Sequence, residues 1–252
     1  MNTSKDLLVE TCLLAGRIMM ENGSEVYRVE DTMNRIAYNA GEFGSISYVT
    51  ATGIFMSLRQ NHFTQIESVG DRSINLEKVV AVNRLSRAFA EHTIDLATLY
   101  DSLKEVNQHT PSYPFALQVL GAGIVSSTLM YAFGGTFWEF IPTFLIGAIG
   151  FYSSTWIKKH VQLRFFDMFF AAFLIGLLAI FTAHFFQAMN PDHIIIGAVM
   201  PLVPGVAITN SFRDILAGHM ISGQARGTEA LIIASAIGVG IASALSFFGG
   251  YL

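Results

Sequence analysis

Two prolines interrupt an apolar segment in the last quarter of the chain, within Pro201-Leu202-Val203-Pro204-Gly205. A proline lacks a backbone N–H and clashes with the carbonyl four residues earlier, here those of Gly197 and Met200. In a bilayer, the backbone groups freed by such a break need hydrogen-bond partners, so the break occurs only where it is packed against protein or lines a hydrated cavity. A helix that restarts after Gly205 would turn its positive end toward an anionic group. The pattern favours a substrate site, and a simple proline kink is the alternative.

Polar side chains follow the break: Asn210, Arg213, Asp214, Arg226 and Glu229. Arg226 and Glu229 are three residues apart and can pair on one helix face. Arg213 and Asp214 are adjacent, so they point apart and each needs another partner. The two arginines are candidates for binding a carboxylate substrate, and a solvated, positively charged loop is an equal alternative.

Ionisable residues also stand within an apolar segment, at Asp167 near its start and His184 near its end. Ionisable groups inside a membrane commonly serve transport. Asp167 is therefore a candidate for proton or ion coupling, and so is His184, which would titrate near neutral pH. Placement of both at the membrane interface, without a functional role, is the alternative.

In the polar N-terminal part, Glu25 and Arg28 lie on one face of a predicted helix, and Glu30 follows. The carboxylates could act as acid or base groups, although a solvated helix face is the simpler interpretation. No phosphate-binding loop, zinc motif or serine-hydrolase elbow occurs in the sequence. We therefore expect no catalytic residue, no metal and no cofactor.

The composition limits the class of protein. Of 252 residues, 52% are hydrophobic and 13% are charged, about half the charge of a typical soluble domain. The scarcity of charge excludes a disordered chain. A net charge of -4 disfavours nucleic acid as a partner, and the single cysteine, Cys12, excludes an internal disulfide.

The charge is unevenly distributed, because residues 1–113 hold 10 of the 15 Lys and Arg and 14 of the 19 Asp and Glu. This predicts a domain at 1–113 and a membrane domain at 114–252, divided near Pro111 and Pro114. Because a span needs about 20 apolar residues, we predict a multi-pass α-helical membrane protein with five transmembrane helices. They are residues 115–133, 140–157, 165–186, 194–212 and 230–248.

Positive residues alternate between the short loops that join these spans. Lys158, Lys159 and Arg164 follow the second span, and Arg213 and Arg226 follow the fourth, whereas the loops after the first and third have none. The positive side of a membrane protein is usually cytoplasmic. We therefore expect a cytoplasmic N-terminus, with Leu252 on the outer side of the membrane.

Periodicity within residues 1–113 predicts a small cytoplasmic α+β domain. Apolar residues recur at helical spacing over 4–22 and 25–40, and again over 76–92 and 95–107. Between these pairs, Ile54, Met56 and Leu58 alternate with other residues as in a strand. Residues 46–50 and 63–69 are its predicted neighbours, with turns at 51–53 and 60–62. Ser24 is the predicted N-cap of the second helix.

Several segments together resemble the threonine/serine exporter (ThrE) family. They are Gly23 with Tyr27-Arg28-Val29-Glu30, Thr52-Gly53-Ile54, the Pro201–Gly205 break, Arg213-Asp214, and Ser222-Gly223 with Arg226 and Glu229-Ala230. The resemblance covers almost the whole chain. Long family members continue into a second, smaller set of spans, whereas this sequence ends after five. The resemblance therefore implies a separate membrane partner similar to YjjB, in a hetero-oligomer that can hold several copies. It also implies a bacterial inner-membrane protein, whose outer end, Leu252, would lie in the periplasm.

The resemblance also implies a function. The family exports threonine and serine, and its two-subunit form is associated with export of C4 dicarboxylates, chiefly succinate, with fumarate and malate as relatives. We therefore expect a subunit of a secondary exporter of small carboxylates. Carried over by position, the Pro201–Gly205 break, Asn210, Arg213, Asp214 and Arg226 are its candidate site residues in the membrane half, and Arg28 and Glu30 are those in the soluble half.

Three alternatives remain at the level of the sequence. The first is a threonine/serine exporter. The second is a membrane-anchored hydrolase that uses Glu25 or Glu30. The third is a scaffold subunit that does not transport, for which Arg213 and Pro204 would be dispensable.

Overall fold

The computed structural model describes residues 3–58, 63–70, 72–109, 113–161, 163–186 and 189–248. The chain forms two compact units. The N-terminal unit comprises Met1–Ser112 and Val206–Thr228, and the apolar unit comprises Tyr113–Gly205 and Glu229–Leu252. The predicted turn at 60–62, the predicted boundary at Pro111 and the predicted location of Leu252 fall outside the described residues.

The N-terminal unit contains two helices, a three-stranded sheet and two more helices, in that order along residues 3–109. Each element lies within a few residues of the periodic segment that predicted it. The elements are α1 (Thr3–Glu21), α2 (Val26–Asn39), β1 (Ser45–Val49), β2 (Gly53–Leu58), β3 (Phe63–Ser68), α3 (Leu76–Ala90) and α4 (Leu96–His109).

The sheet is antiparallel, in the order β1-β2-β3. Val49 pairs with Ile54 where β1 turns into β2, and Thr50 stabilises this turn by donating its hydroxyl to the Gly53 carbonyl at 2.8 Å. Alternate side chains of β2, those of Ile54, Met56 and Leu58, are fully buried. The strand therefore covers the helices with one face, as its period of two predicts.

Helix α1 is the centre of the N-terminal unit. It contacts α2, α3, α4 and the sheet, and Val9, Cys12, Ile18 and Met19 on it are completely buried. The sequence predicts burial of one face only, and the structure differs because α1 has neighbours on several sides. Burial also raises the pKa of the Cys12 thiol, so this cysteine is a packing residue.

The second segment of the N-terminal unit begins within α9 (Gly205–Leu216) and ends within α10 (Met220–Phe248). The sequence predicts that residues 206–228 belong to the membrane half. In the structure they belong to the N-terminal unit, because their polar side chains bind the loop between α1 and α2, as described below. That residues 1–113 form a domain of their own stays a prediction.

The apolar unit consists of helices. These are α5 (Phe115–Ala132), α6 (Phe140–His160), α7 (Phe166–Phe185), α8 (Pro191–Val199) and the later part of α10. Short 3₁₀ turns at Phe137–Glu139 and Met200–Leu202 flank α6 and α8. Within the described ranges, four helices are long and apolar enough to cross a membrane, or five if the bent pair Pro191–Leu202 and Gly205–Leu216 counts as one span.

Small residues permit close packing between α7 and α10. A Cβ atom added at Gly240 would lie 2.4 Å from the Phe169 carbonyl oxygen, and one added at Gly176 would lie 2.9 Å from the Ala244 methyl. A Cβ atom added at Gly238 would meet nothing within 4 Å. Gly240 therefore lies on a face of α10 that packs against α7, whereas Gly238 lies on a face where an added Cβ would meet no atom within 4 Å.

Candidate functional site

The double-proline segment separates two helices. Helix α8 ends at Val199, Met200–Leu202 form one 3₁₀ turn, and Val203 is extended, with φ −65° and ψ 129°. Helix α9 then begins at Gly205. The prolines explain the interruption, since neither can donate the hydrogen bond that an α-helix requires.

The two backbone carbonyls that lie four residues before the prolines accept hydrogen bonds from other backbone N–H groups. The Gly197 carbonyl accepts from the Met200 N–H, and the Met200 carbonyl accepts from the Val203 N–H at 3.2 Å. Both bonds join residues three apart, which is the tighter 3₁₀ pattern. The break is therefore internally satisfied, and the carbonyls of Gly197 and Met200 are not left without partners.

The polar residues after the break converge on the loop between α1 and α2. Gly23 in this loop has φ +95°, a conformation that glycine adopts without strain. Its carbonyl accepts a hydrogen bond from the Asn210 side-chain amide at 2.9 Å. We call this region the polar junction: Gly23–Val26 together with Asn210, Arg213, Asp214 and Arg226.

Asp214 caps helix α2. Its Oδ1 accepts from the Val26 N–H at 3.0 Å, and a carboxylate at a helix N-terminus is favoured by the helix dipole. The sequence-based assignment of Ser24 as N-cap is wrong, because the N-cap residue is Glu25 and its side chain makes no capping bond. A charged acceptor 188 residues later in the sequence supplies that bond.

Arg226 is the buried cation of the polar junction. Its Nη1 lies 3.5 Å from Asp214 Oδ2, and its Nη2 donates to the Ser24 carbonyl at 2.8 Å. Arg226 is 5% exposed and Asp214 is fully buried. Arg226 therefore belongs to a buried ion pair, and the solvated-loop alternative is wrong for this one of the two arginines.

Glu25 links the junction to two more arginines. Its Oε1 accepts from Arg213 Nη1 at 2.5 Å, and its Oε2 lies 3.1 Å from Arg28 Nε. Glu25 itself is buried, whereas the Arg213 side chain is 57% exposed. The adjacent Arg213 and Asp214 thus have separate partners, as their opposite directions on a helix require.

The ionisation of Glu25 follows from these contacts. Burial tends to raise its pKa, but a backbone hydrogen bond, the Arg213 hydrogen bond and the positive charge of Arg28 outweigh burial, and the net pKa is lowered. The pKa of Arg28 is raised, first by its hydrogen bond with Tyr27 and also by Glu25. Both groups are therefore charged at neutral pH.

Glu30 serves as a connector between elements. Its Oε1 accepts from the Val49 N–H of β1 at 2.9 Å, and its Oε2 lies 3.8 Å from His219 Nε2. Both oxygens of Glu25 and of Glu30 thus have partners within the N-terminal unit. This arrangement suits positioning rather than acid–base chemistry, which needs a carboxylate open to a substrate proton.

The remaining candidates lie apart from the polar junction. Asp167 is buried in the first turn of α7, where Ser154 donates to its Oδ2 at 3.4 Å. His184 is exposed near the end of the same helix and packs edge-to-face on Phe185. Glu229 belongs to the apolar unit.

Glu139 is a buried carboxylate that the sequence analysis missed. Its Oε2 accepts from the Thr136 N–H at 2.6 Å and lies 3.3 Å from His193 Nδ1, and its Oε1 accepts from the Asn190 N–H at 2.7 Å. It joins the loops before α6 and α8. The signal was present in the sequence, since Thr136 and Glu139 have the three-residue spacing of a capping box.

The polar junction is a set of paired charges. It combines a buried Asp–Arg pair with a carboxylate, Glu25, shared by two partly exposed arginines. Within the described ranges, no group of three or more His, Cys, Asp or Glu could hold a metal ion.

The comparisons with known proteins agree with a membrane transporter. A family model, ThrE, described as "Putative threonine/serine exporter", matches residues 10–248. The "Probable succinate transporter subunit YjjP" of Escherichia coli is 25% identical over 252 residues, which is 94% of this chain and 93% of the relative. The protein of that name in Klebsiella aerogenes is 25% identical over 244 residues, with the same coverage.

A longer relative also matches. The "Probable threonine/serine exporter" of Mycobacterium tuberculosis is 20% identical over 238 residues, which is 93% of this chain but 45% of the relative. No solved structure matches. The family match covers nearly the whole sequence, and the apolar helices agree with a mostly helical membrane protein. The chain therefore belongs to the threonine/serine exporter (ThrE) family.

Proposed function

We propose that this protein is a subunit of a bacterial inner-membrane exporter of small carboxylates, with succinate as its main substrate and fumarate and malate as related ones. It acts with a second membrane subunit similar to YjjB, in a hetero-oligomer. Transport is secondary: it follows the substrate gradient or is coupled to a proton, with Asp167 and His184 as coupling candidates. No cofactor is needed.

The observation that carries the proposal is the position of Arg213 in the polar junction. Its guanidinium is more than half exposed and is held by the Glu25 carboxylate at 2.5 Å. A guanidinium binds carboxylates through paired, charge-assisted hydrogen bonds. A carboxylate substrate can therefore replace Glu25 on Arg213, and Glu25 remains charged beside Arg28. Because one carboxylate replaces another, Arg213 keeps a negatively charged partner throughout the exchange.

The buried residues of the polar junction position Glu25 and Arg213 for this exchange of carboxylates. Asp214 and Arg226 hold each other and fix the start of α2 through the Val26 N–H and the Ser24 carbonyl. Asn210 holds the Gly23 carbonyl. These contacts set where Glu25 stands relative to Arg213. The proline break and Gly205 define where α9, which carries Asn210 and Arg213, begins.

Charge supports the proposed orientation. Lys158, Lys159 and His160 occupy the last turn of α6, and the following loop contains Arg164. Positive residues of this kind favour the cytoplasmic side. The N-terminus, the polar junction and this loop are then cytoplasmic, and the C-terminus is periplasmic.

The named relatives favour succinate over amino acids. Two relatives named as succinate transporter subunits are 25% identical to this chain, whereas the mycobacterial threonine/serine exporter is 20% identical. Threonine/serine export remains the second candidate, since these amino acids also carry a carboxylate for Arg213. Cells fed a threonine-containing dipeptide would then release threonine faster when the protein is present, and under our proposal they would not.

We do not propose catalysis. The hydrolase alternative requires Glu25 or Glu30 as an acid or base, and each has both oxygens engaged by arginines, a backbone N–H or a histidine. Arg213→Ala distinguishes a scaffold subunit from a transporting one. If the protein is only a scaffold, this substitution leaves efflux unchanged as long as the protein is assembled.

Deletion strains test the proposal in cells. Deleting the gene for this chain and the gene for its partner, separately, should each lower succinate efflux under conditions that produce succinate. The wild-type gene should restore efflux, and Arg213→Ala, expressed to the same level, should not. Unchanged efflux in both deletion strains would contradict the proposal.

A further inference from the structure

A groove between α2 and α3 is lined by three arginines. It has a volume of about 510 Å³, within the range of small-molecule sites. Its lining, which we call the arginine groove, comprises Arg28 of α2 and one face of α3 with the residue that follows it: Val80, Asn83, Arg84, Arg87, Ala88 and Glu91.

The spacing of the α3 residues explains why they share the groove. Positions 80, 84, 87 and 91 recur at intervals of four, three and four, which keeps them on one side of a helix. The opposite side of α3 is anchored by the buried Val82 and Phe89. Between the helices, the Thr32 hydroxyl of α2 donates to the Asn83 side-chain oxygen at 3.5 Å.

Arg84 and Arg87 are exposed, and in the described part of the chain neither lies within ion-pair distance of a carboxylate. With Arg28 they place three positive charges around the groove, against the single carboxylate of Glu91. Such a surface attracts anions. Val80 and Ala88 add apolar contacts for a short hydrocarbon segment.

We propose that the arginine groove is a binding site for a small organic dianion, with two carboxylates joined by a short aliphatic chain. Arg84 and Arg87 of α3 bind one carboxylate, and Arg28, across the groove on α2, binds the other. Guanidinium groups suit this role because they present paired donors to a carboxylate. That the ligand is the transported dicarboxylate rests on the proposed function.

The groove is connected to the polar junction through Arg28. Glu25 holds Arg28 at 3.1 Å and Arg213 at 2.5 Å. An anion bound in the groove competes with Glu25 for Arg28, so Glu25 is left to Arg213 alone. Binding in the groove and the state of the Glu25–Arg213 pair are thus linked, and each must affect the other equally. The groove is therefore a regulatory site that reports the concentration of dicarboxylate.

Calorimetry on the purified full-length chain in detergent, at low salt, tests the groove directly. The titrants are succinate, acetate and inorganic phosphate. Arg84→Gln and Arg87→Gln should each weaken succinate binding about tenfold, the effect of losing one charge-assisted hydrogen bond. Lys104→Gln is the matched control, because it removes an exposed positive charge from α4 outside the groove. It should leave the affinity unchanged.

The ligand class and the linkage have their own readouts. Succinate should bind more tightly than acetate or phosphate, and tighter phosphate binding would overturn the dicarboxylate assignment. In an Arg213→Ala background, which removes the other proposed carboxylate site, Glu25→Gln should raise the succinate affinity, because Arg28 loses its competing carboxylate. An unchanged or lower affinity would overturn the competition between Glu25 and the bound anion for Arg28, and with it the link to Arg213.

Failure of the groove and failure of the proposed function give different results. The groove proposal is wrong if Arg84→Gln and Arg87→Gln both bind succinate with wild-type affinity. It is also wrong if the chain transports succinate with its partner but binds none in calorimetry. Either result leaves the proposed transport function unaffected. Succinate binding that depends on Arg84 and Arg87, in a protein that does not transport succinate, supports the groove and overturns the function.

Discussion

At the scale of residues, Asp214 and Arg226 are the most constrained charges of the polar junction. Asp214 has no exposed surface, and its Oδ1 accepts from the Val26 N–H. Its Oδ2 has no hydrogen-bond partner among the described residues and lies 3.5 Å from Arg226 Nη1. Removing one member of a buried ion pair leaves the other charged and without compensation. The pair therefore holds α9 to the start of α2 within the N-terminal unit.

Neutralising this carboxylate should be costly. Asp214→Asn is expected to lower the free energy of unfolding by about 3 kcal/mol, measured by chemical denaturation of the purified chain. Asp31→Asn is the matched control, because Asp31 forms an exposed ion pair with Arg35 within α2. The control should change stability by less than about 0.5 kcal/mol. Equal effects of both substitutions would show that the buried pair has no special role.

Glu25 should give stability a defined pH dependence. Its pKa is lowered in the folded protein, so its contribution is complete above the unfolded value of about 4.3 and is lost as pH falls through the lower folded value. The stability difference between wild type and Glu25→Gln should therefore be constant from pH 7 to pH 5 and shrink below pH about 4. Denaturation midpoints across that range measure it, and a difference that grows on acidification would contradict the charged state of Glu25.

The sequence identified most members of the polar junction but not their partners. Arg213 and Asp214 had to point apart, and they do, yet nothing local indicates that Glu25 and Val26, 188 residues earlier, receive them. Such pairing depends on tertiary contacts.

Glu139 was missed for a different reason, because its capping-box spacing with Thr136 lies at the edge of an apolar segment.

At the scale of elements, the periodic patterns located helices and strands well. The alternation in β2 and the helical repeats of α2 and α3 each depend on burial of one face, which leaves a regular trace in the sequence. Helix α1 departs from this rule because its neighbours bury several faces. The extent of α10 was also underestimated: it begins at Met220, ten residues before the predicted span.

The break between α8 and α9 can be tested with a single residue. Pro204→Ala restores an N–H that can donate to the Met200 carbonyl and extend the helix, so we expect succinate efflux to fall at least several-fold while assembly persists. Pro191→Ala is the matched control, since Pro191 occupies the first turn of α8, where no intrahelical donor is needed. Efflux from cells expressing each variant measures the effect. Normal efflux in Pro204→Ala would favour the scaffold alternative.

The two faces of α10 predict opposite responses to a methyl group. Gly240→Ala should destabilise the chain by about 1–3 kcal/mol, because the new Cβ would meet the Phe169 carbonyl at 2.4 Å. Gly238→Ala, where a Cβ meets nothing within 4 Å, should be neutral or slightly stabilising, since alanine favours helices. Thermal unfolding of both variants in detergent gives the comparison. A larger loss at Gly238 than at Gly240 would contradict the α7–α10 packing.

At the scale of the whole molecule, the chain combines a polar unit with ion-paired arginines and a unit of apolar helices, in a family of exporters. Composition and hydropathy alone indicated the membrane class. The substrate depends on a few polar contacts whose partners are distant in sequence, and for that reason it stays a proposal.

Reconstitution in liposomes separates succinate export from threonine export in a defined system. The purified chain and its partner subunit are placed together in liposomes loaded with radiolabelled succinate, and efflux is timed with and without a pH gradient. We predict succinate efflux that requires both subunits and falls at least tenfold in Arg213→Ala, with no comparable efflux of threonine. Liposomes that retain succinate but release threonine, or that release succinate equally with Arg213→Ala, would contradict the account.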